Sequence, residues 1–209
     1  MQGHSPVALS QAQSDIESGQ VLTSDINDGT KNRNPSGIGF WALVAEDYRT
    51  HDRDLFSQGF WALFWHRFGN ARMSIRPRAL RIAFSVLYRV AFKLTQWMSG
   101  IDLGYSVVVG RRVKLEHFGG MVLAARAIGD DVLIRQNTTF GVTSRHNLGK
   151  LPTIGDGVDI GVGCAILGDV KIGKNAVVGA NAVVTKDVPA GALVGGIPAR
   201  VIKTGFGGT

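Results

Sequence analysis

His117 follows Glu116 in the stretch Leu115-Glu-His-Phe-Gly-Gly120, and His146 follows Arg145. Histidine is the side chain whose ordinary pKa best suits proton abstraction near neutrality. Asp102 stands fifteen residues ahead of His117. A carboxylate beside an imidazole holds the right tautomer and stabilises the imidazolium once the proton has moved. Asp102, His117 and His146, with Glu116 as a further acid, therefore form a candidate general-base constellation. Each also has a structural reading: a lone histidine is commonly a packing residue, and Asp102 falls where a turn would enter the next element.

The element that must position them counts in sixes. From Ile154 the chain divides into IGDGVD, IGVGCA, ILGDVK, IGKNAV, VGANAV and VTKDVP. The first position is always a branched aliphatic: Ile154, Ile160, Ile166, Ile172, Val178, Val184. Glycine follows at 155, 161, 173 and 179, and Val158, Cys164, Ala176 and Ala182 fill fifth positions. A period of 3.6 cannot keep this register, so the stretch is no amphipathic helix. A strict six-residue repeat is the mark of a parallel β-helix whose short strands form the faces of a triangular prism. The branched residue points inward and stacks on its equivalent one coil away. Earlier coils are less regular: Val109, Leu115 and Met121 keep the spacing, and a one-residue slip precedes Ile128 and Ile134. Fourteen residues then separate Phe140 from Ile154. The excess is a loop at 141–153 leaving a rigid solenoid, where function is commonly carried.

Residues 38–100 read as an α-helical domain ahead of a β-helix at 101–203. Helices are expected over Gly39–Arg49, Gly59–Phe68 and Ala79–Met98, with a polar break at Thr50–Asp54. The second is so aromatic that it should be buried on most sides, as in an oligomer core. The third carries Ile82, Val86, Val90 and Leu94 on one stripe, the packing face of an amphipathic helix, with Arg81, Arg89 and Lys93 on its polar side. A basic helix lying on a membrane surface is the alternative. Residues 1–37 are polar and aliphatic-poor, a tail disordered or ordered by a partner, and 204–209 form a flexible end. The net charge of +7 suits an anionic ligand, an acidic glycan or a membrane surface, and no arginine-rich helix points to nucleic acid. One cysteine excludes an internal disulfide and a cysteine-based metal cluster, and Cys164 should be a buried thiol. Neither a signal peptide nor a membrane span is legible, so a cytoplasmic protein is expected.

Gly-Ile-Asp102, the step of fifteen to His117, Ile-Gly-Asp-Asp131, Arg145-His146, Ile-Gly-Asp-Gly157 and Gly-Ile-Pro-Ala199 together resemble serine O-acetyltransferase of the hexapeptide-repeat acyltransferase superfamily. The resemblance runs over roughly residues 40 to 203 and includes Asp47–Asp54 and the Gly-Phe-Trp segment that follows. It implies a left-handed β-helix, a homotrimer or a dimer of trimers, and acetyl-CoA lying between neighbouring prisms, with no metal. It makes His117 the general base, Asp102 its orienting carboxylate and His146 a further catalytic residue. It makes Glu116, Arg145 and Asp47 acceptor-binding, with Arg145 suited to a carboxylate. Gly141, Val142, Val162, Ala180, Lys186 and Arg200 become cofactor-binding positions.

Three departures bear on the acceptor. Glu116 stands where the serine enzymes usually carry Asp, the loop reads Arg-His-Asn-Leu-Gly-Lys-Leu-Pro rather than Arg-His-Pro-Lys, and the helical part is short. Short, aromatic-rich relatives resemble exopolysaccharide acetyltransferases. Three readings therefore stand: O-acetylation of L-serine, the first step toward cysteine; O-acetylation of a glycan hydroxyl; and a non-catalytic β-helix scaffold.

Overall fold

A computed structural model describes residues 31–144 and 149–205. Three helices, α1 (Phe40–Thr50), α2 (Gln58–Ala71) and α3 (Arg78–Ser99), precede fifteen short strands. Ser57 caps α2 by accepting from the Phe60 N–H at 3.3 Å. Pro77 precedes α3, and Gly100 ends it in the left-handed region at φ 67°. Glycine is required there twice over, because a Cβ on Gly100 would lie 3.0 Å from the Gly119 carbonyl.

The strands wind into five coils of a parallel β-helix. Face A is β1-β4-β7-β10-β13, from Ile101–Asp102, Met121–Leu123, Thr139–Gly141, Ala165–Leu167 and Val183–Val184. Face B holds β2 (Val108–Val109), β5 (Ala127–Ile128), β8 (Thr153–Ile154) and β11 (Lys171–Ile172), and Val188 bridges to Ile172 beyond them. Face C holds β3 (Lys114–Glu116), β6 (Leu133–Arg135), β9 (Asp159–Ile160), β12 (Val177–Val178) and β14 (Leu193–Gly195), closed by antiparallel β15 (Arg200–Lys203). Ile154 pairs with Ile172, Ile160 with Val178 and Ile166 with Val184. Three hexads thus make one coil, and all six first-position residues are buried. Leu115 pairs with Ile134, one residue more than a regular coil, which is the slip the sequence carries. Phe140 pairs with Ile166, so the loop lengthens the third coil while the strands on either side stay in register. Cys164 is buried at its inward position, and burial pushes its thiol pKa up.

The helical part is bolted to the first coil by charge. Arg67 is wholly buried; Nη1 donates to the Val109 carbonyl at 2.7 Å and Nη2 to that of Gly110 at 2.6 Å. Arg111 donates to Glu46 through Nε at 2.9 Å and Nη2 at 2.7 Å. Gly59 lets α2 sit on β3, since a Cβ there would fall 2.3 Å from the Leu115 oxygen.

Two expectations need correction. The stripe Ile82, Val86, Val90 and Leu94 does not pack inward: these side chains are 47–57% exposed. Tyr88, Ala91, Thr95 and Ser99 make the buried side of α3 instead. Helix α2, by contrast, is buried on most sides as expected: eight of its fourteen residues are buried and only Trp61, at 40%, is exposed. The helical unit also begins before residue 38. The Arg33 N–H donates to Asn70 Oδ1 at 3.1 Å and Asn34 Nδ2 donates to the Arg67 carbonyl at 2.9 Å. The rest of the tail, residues 1–30, lies outside the described residues, as do 206–209.

Candidate active site

The corners of the prism explain where His117 stands. Between faces B and C every coil turns through one left-handed residue: Arg112, Asp131, Gly157, Asn175, Gly191. Between faces C and A the turn residues of the second to fourth coils are Asn137, Gly163 and Asn181, each three positions past the inward aliphatic. Asn and Gly are the residues that tolerate this geometry. In the first coil the left-handed residue comes one position early, and it is His117 at φ 63°. Its side chain is exposed and makes no hydrogen bond among the described residues.

Asp102 lies on the outer side of face A in the same coil, where it pairs with Val122 of β4. The Gly119 N–H donates to the Ser99 carbonyl at 2.9 Å, and Met121 to that of Gly100 at 2.9 Å. The turn carrying His117 is therefore stitched to the segment that ends in Asp102. No hydrogen bond joins the two side chains in the single chain.

Glu116 precedes His117 at the end of β3 (Lys114–Glu116), and its carboxylate is not free. Arg135 Nε approaches it at 3.4 Å and Lys114 Nζ at 3.7 Å. Arg135 also pairs with Asp159 through Nη1, and Lys114 with Asp52 at 2.8 Å. A chain of alternating charge, Asp52–Lys114–Glu116–Arg135–Asp159, thus crosses β3, β6 and β9 on face C. Sequence reading missed Arg135, although the signal was present. Glu116 and Arg135 each follow an inward aliphatic, Leu115 and Ile134, that pair with one another.

Asp47 is a different matter. The sequence reading placed it among acceptor-binding residues, but it is 0% exposed, with Oδ2 accepting from Arg67 Nε at 3.0 Å. Burial raises its carboxyl pKa, and the Arg67 charge and hydrogen bonds oppose that rise. An acceptor cannot reach it; its role is to neutralise the arginine that holds the first coil. Two histidines that stood out less are equally internal. His51 Nε2 accepts from the Leu115 N–H at 3.2 Å, which leaves Nδ1 as the donor to the Asp47 carbonyl at 2.8 Å. His66 lies 2.9 Å from the Val107 carbonyl through Nε2, and burial pulls its pKa down to about 3. Both are neutral packing residues.

The six cofactor positions divide between two edges and one end. Gly141 closes β7 and Val142 follows it, at the A–B edge where the loop departs; Lys186 is exposed on that edge two coils further on. Val162 and Ala180 lie on the C–A edge, the edge of His117, with Ala180 exposed. They are in contact along the stack, because Asn181 N–H donates to the Val162 carbonyl at 2.8 Å. Arg200 is exposed at the start of β15, beyond the last coil. Arg145 and His146 lie outside the described residues.

Residues 152–186 match the family described as bacterial transferase hexapeptide (six repeats). The chain is 42% identical over 118 residues to the serine acetyltransferase of Mycobacterium tuberculosis, covering 56% of this chain and 52% of that one. The chain spans about half the length of the curated relatives it matches. Soybean serine acetyltransferase complexed with serine superposes with a TM-score of 0.66 at 26% identity, over 95% of this chain and 91% of that one. A serine acetyltransferase in complex with CoA superposes with a TM-score of 0.58 at 28% identity, over 78% and 69%.

Proposed function

We propose, from the premise that the chain is a serine acetyltransferase-like member of the hexapeptide-repeat superfamily, that it moves the acetyl group of acetyl-CoA to the hydroxyl of L-serine. The observation that carries this reading is His117, an exposed imidazole on a left-handed corner of the rigid first coil. Such a base is fixed in position and has its ring nitrogens available. The relatives solved with serine and with CoA support the two substrates, and each relative described above is a serine acetyltransferase.

In the proposed reaction His117 takes the hydroxyl proton as the serine oxygen attacks the thioester carbonyl. A C–O bond forms, and the carbonyl oxygen becomes an oxyanion that a backbone N–H can stabilise. Collapse breaks the C–S bond, and the leaving thiolate takes the proton from the imidazolium, giving CoA thiol and O-acetylserine. Asp102 is the carboxylate of the same coil that can stabilise that imidazolium. Glu116 and Arg145 are proposed to hold the acceptor, and His146 to act beside His117 as a further catalytic residue.

The division of cofactor positions between edges supports a site assembled from two copies. The C–A edge of one chain brings His117, Val162 and Ala180. The A–B edge of a neighbour brings Gly141, Val142, Lys186 and the loop. A homotrimer places these two edges against one another three times. The test is thiol release from acetyl-CoA with L-serine and with a panel of sugars. Release with serine supports this reading; release with sugars alone rejects serine as acceptor, and no release with any acceptor rejects acetyl transfer.

A further inference from the structure

Helix α3 turns its apolar residues away from the protein. Tyr88, Ala91, Thr95 and Ser99 are buried and share one side of the helix. On the opposite side Ile82, Val86, Val90 and Trp97 are 54–76% exposed. At 3.6 residues per turn the apolar arc spans roughly 160°, nearly half the circumference. It continues through Leu94 and Met98 into a cavity of about 510 Å³ that Phe56, Trp61 and Trp65 also line. Phe56, on the link between α1 and α2, is 88% exposed. An apolar surface of this extent on one helix marks an interaction site.

The charges of α3 say what it meets. Arg78, Arg81, Arg89 and Lys93 are its only charged residues, and none is acidic. Arg78, Arg89 and Lys93 are exposed along one margin of the apolar arc. A second copy laid antiparallel on this face, about a twofold axis perpendicular to the helix, would set cations against cations. Anionic headgroups satisfy all three while the apolar arc enters the acyl boundary, and a tryptophan such as Trp97 suits that depth. Among the described residues no helix is long and apolar enough to cross a membrane, so α3 would lie in the plane of the surface.

We propose that the outer face of α3, with Phe56 beside it, docks the protein on an anionic lipid surface. The inference is independent of the acceptor and of acetyl transfer. It is tested with the full chain and vesicles of phosphatidylcholine, with or without phosphatidylglycerol, by co-sedimentation and tryptophan emission. The expected result is binding only where phosphatidylglycerol is present, with a blue shift in emission and release as salt rises. Arg89→Glu with Lys93→Glu should lower binding at least about 20-fold, since each cation near such a surface is worth roughly fivefold. Val86→Gln with Val90→Gln should abolish it without lowering the thermal midpoint, and if that pair fails to fold the charge variant decides. Failure to bind anionic vesicles overturns the proposal, as does binding indifferent to lipid charge. A fall in assembly mass for Val86→Gln with Val90→Gln, with no vesicle binding by the parent chain, would assign the face to contacts between copies instead.

Discussion

His117, His51 and His66 are three histidines with three environments, and only one leaves its ring in solvent. His51 spends both ring nitrogens, on the Leu115 N–H and the Asp47 carbonyl, and His66 is buried with its Nε2 on the Val107 carbonyl. His117 instead occupies a left-handed corner that the second and fourth coils assign to Asn137 and Asn181. That Asp102 and His117 share the first coil was legible as a spacing, because fifteen residues carry the chain from face A to a corner just short of a full turn. The burial of Asp47 was not legible, because its partner Arg67 lies twenty residues away on another helix and no periodicity links them. Two substitutions are informative at this scale. Asp102→Asn removes the charge that stabilises the imidazolium, so it should lower kcat by at least about tenfold with little change in the serine KM. Arg135→Met frees Glu116 from its larger cation, so steady-state kinetics should show a rise in serine KM that exceeds any fall in kcat.

Among the elements, the coils were readable and the helices only in part. A repeat of eighteen that divides evenly into three faces prescribes inward positions without further information. Helix α3 offered two candidate faces. The strongly apolar one lost to Tyr88, Ala91, Thr95 and Ser99, because small side chains let the helix approach α2 closely. The close approach is visible at Gly69 of α2, where a Cβ would fall 2.6 Å from the Tyr88 ring. The junction between helices and first coil rests on buried charge. Arg67→Ala would strand Asp47 without a partner and should cost about 3–5 kcal/mol in urea unfolding. The same junction makes stability depend on pH. Burial holds His51 and His66 neutral, with pKa values below those of the unfolded chain. The unfolded state therefore binds more protons below about pH 6.5, and stability falls as pH drops from there toward the folded values, about 3 for His66. The raised carboxyl of Asp47 acts oppositely, but only nearer the carboxylate range. Comparing urea midpoints at pH 7 and pH 5 should show a loss of up to about 1.4 kcal/mol per pH unit for each imidazole, shallower in His66→Gln.

For the whole molecule, the solenoid is a wall, and the proposed chemistry sits at the exceptions to its count. The excess of the third coil over a regular one is eight residues, and strand pairing continues on both sides of it. Deleting eight residues within 141–152 restores the regular step from Phe140 to Ile154. That variant should keep its far-UV spectrum and thermal midpoint while losing acetyl transfer by at least about 100-fold, since a solenoid depends on contacts between neighbouring coils rather than on the loop. If the active site forms between copies, co-assembling a His117→Ala chain with a His146→Ala chain should recover activity that neither homo-assembly has. Acceptor identity and assembly lay beyond the hexads themselves, which many chemistries can share on one fold. The central claim, that His117 activates a hydroxyl toward acetyl-CoA, is tested most directly by steady-state thiol release from acetyl-CoA with L-serine, comparing the parent chain with His117→Ala. The account predicts saturable release by the parent chain and a kcat at least about 100-fold lower in a variant of unchanged melting temperature; near-equal turnover by the two chains would contradict it.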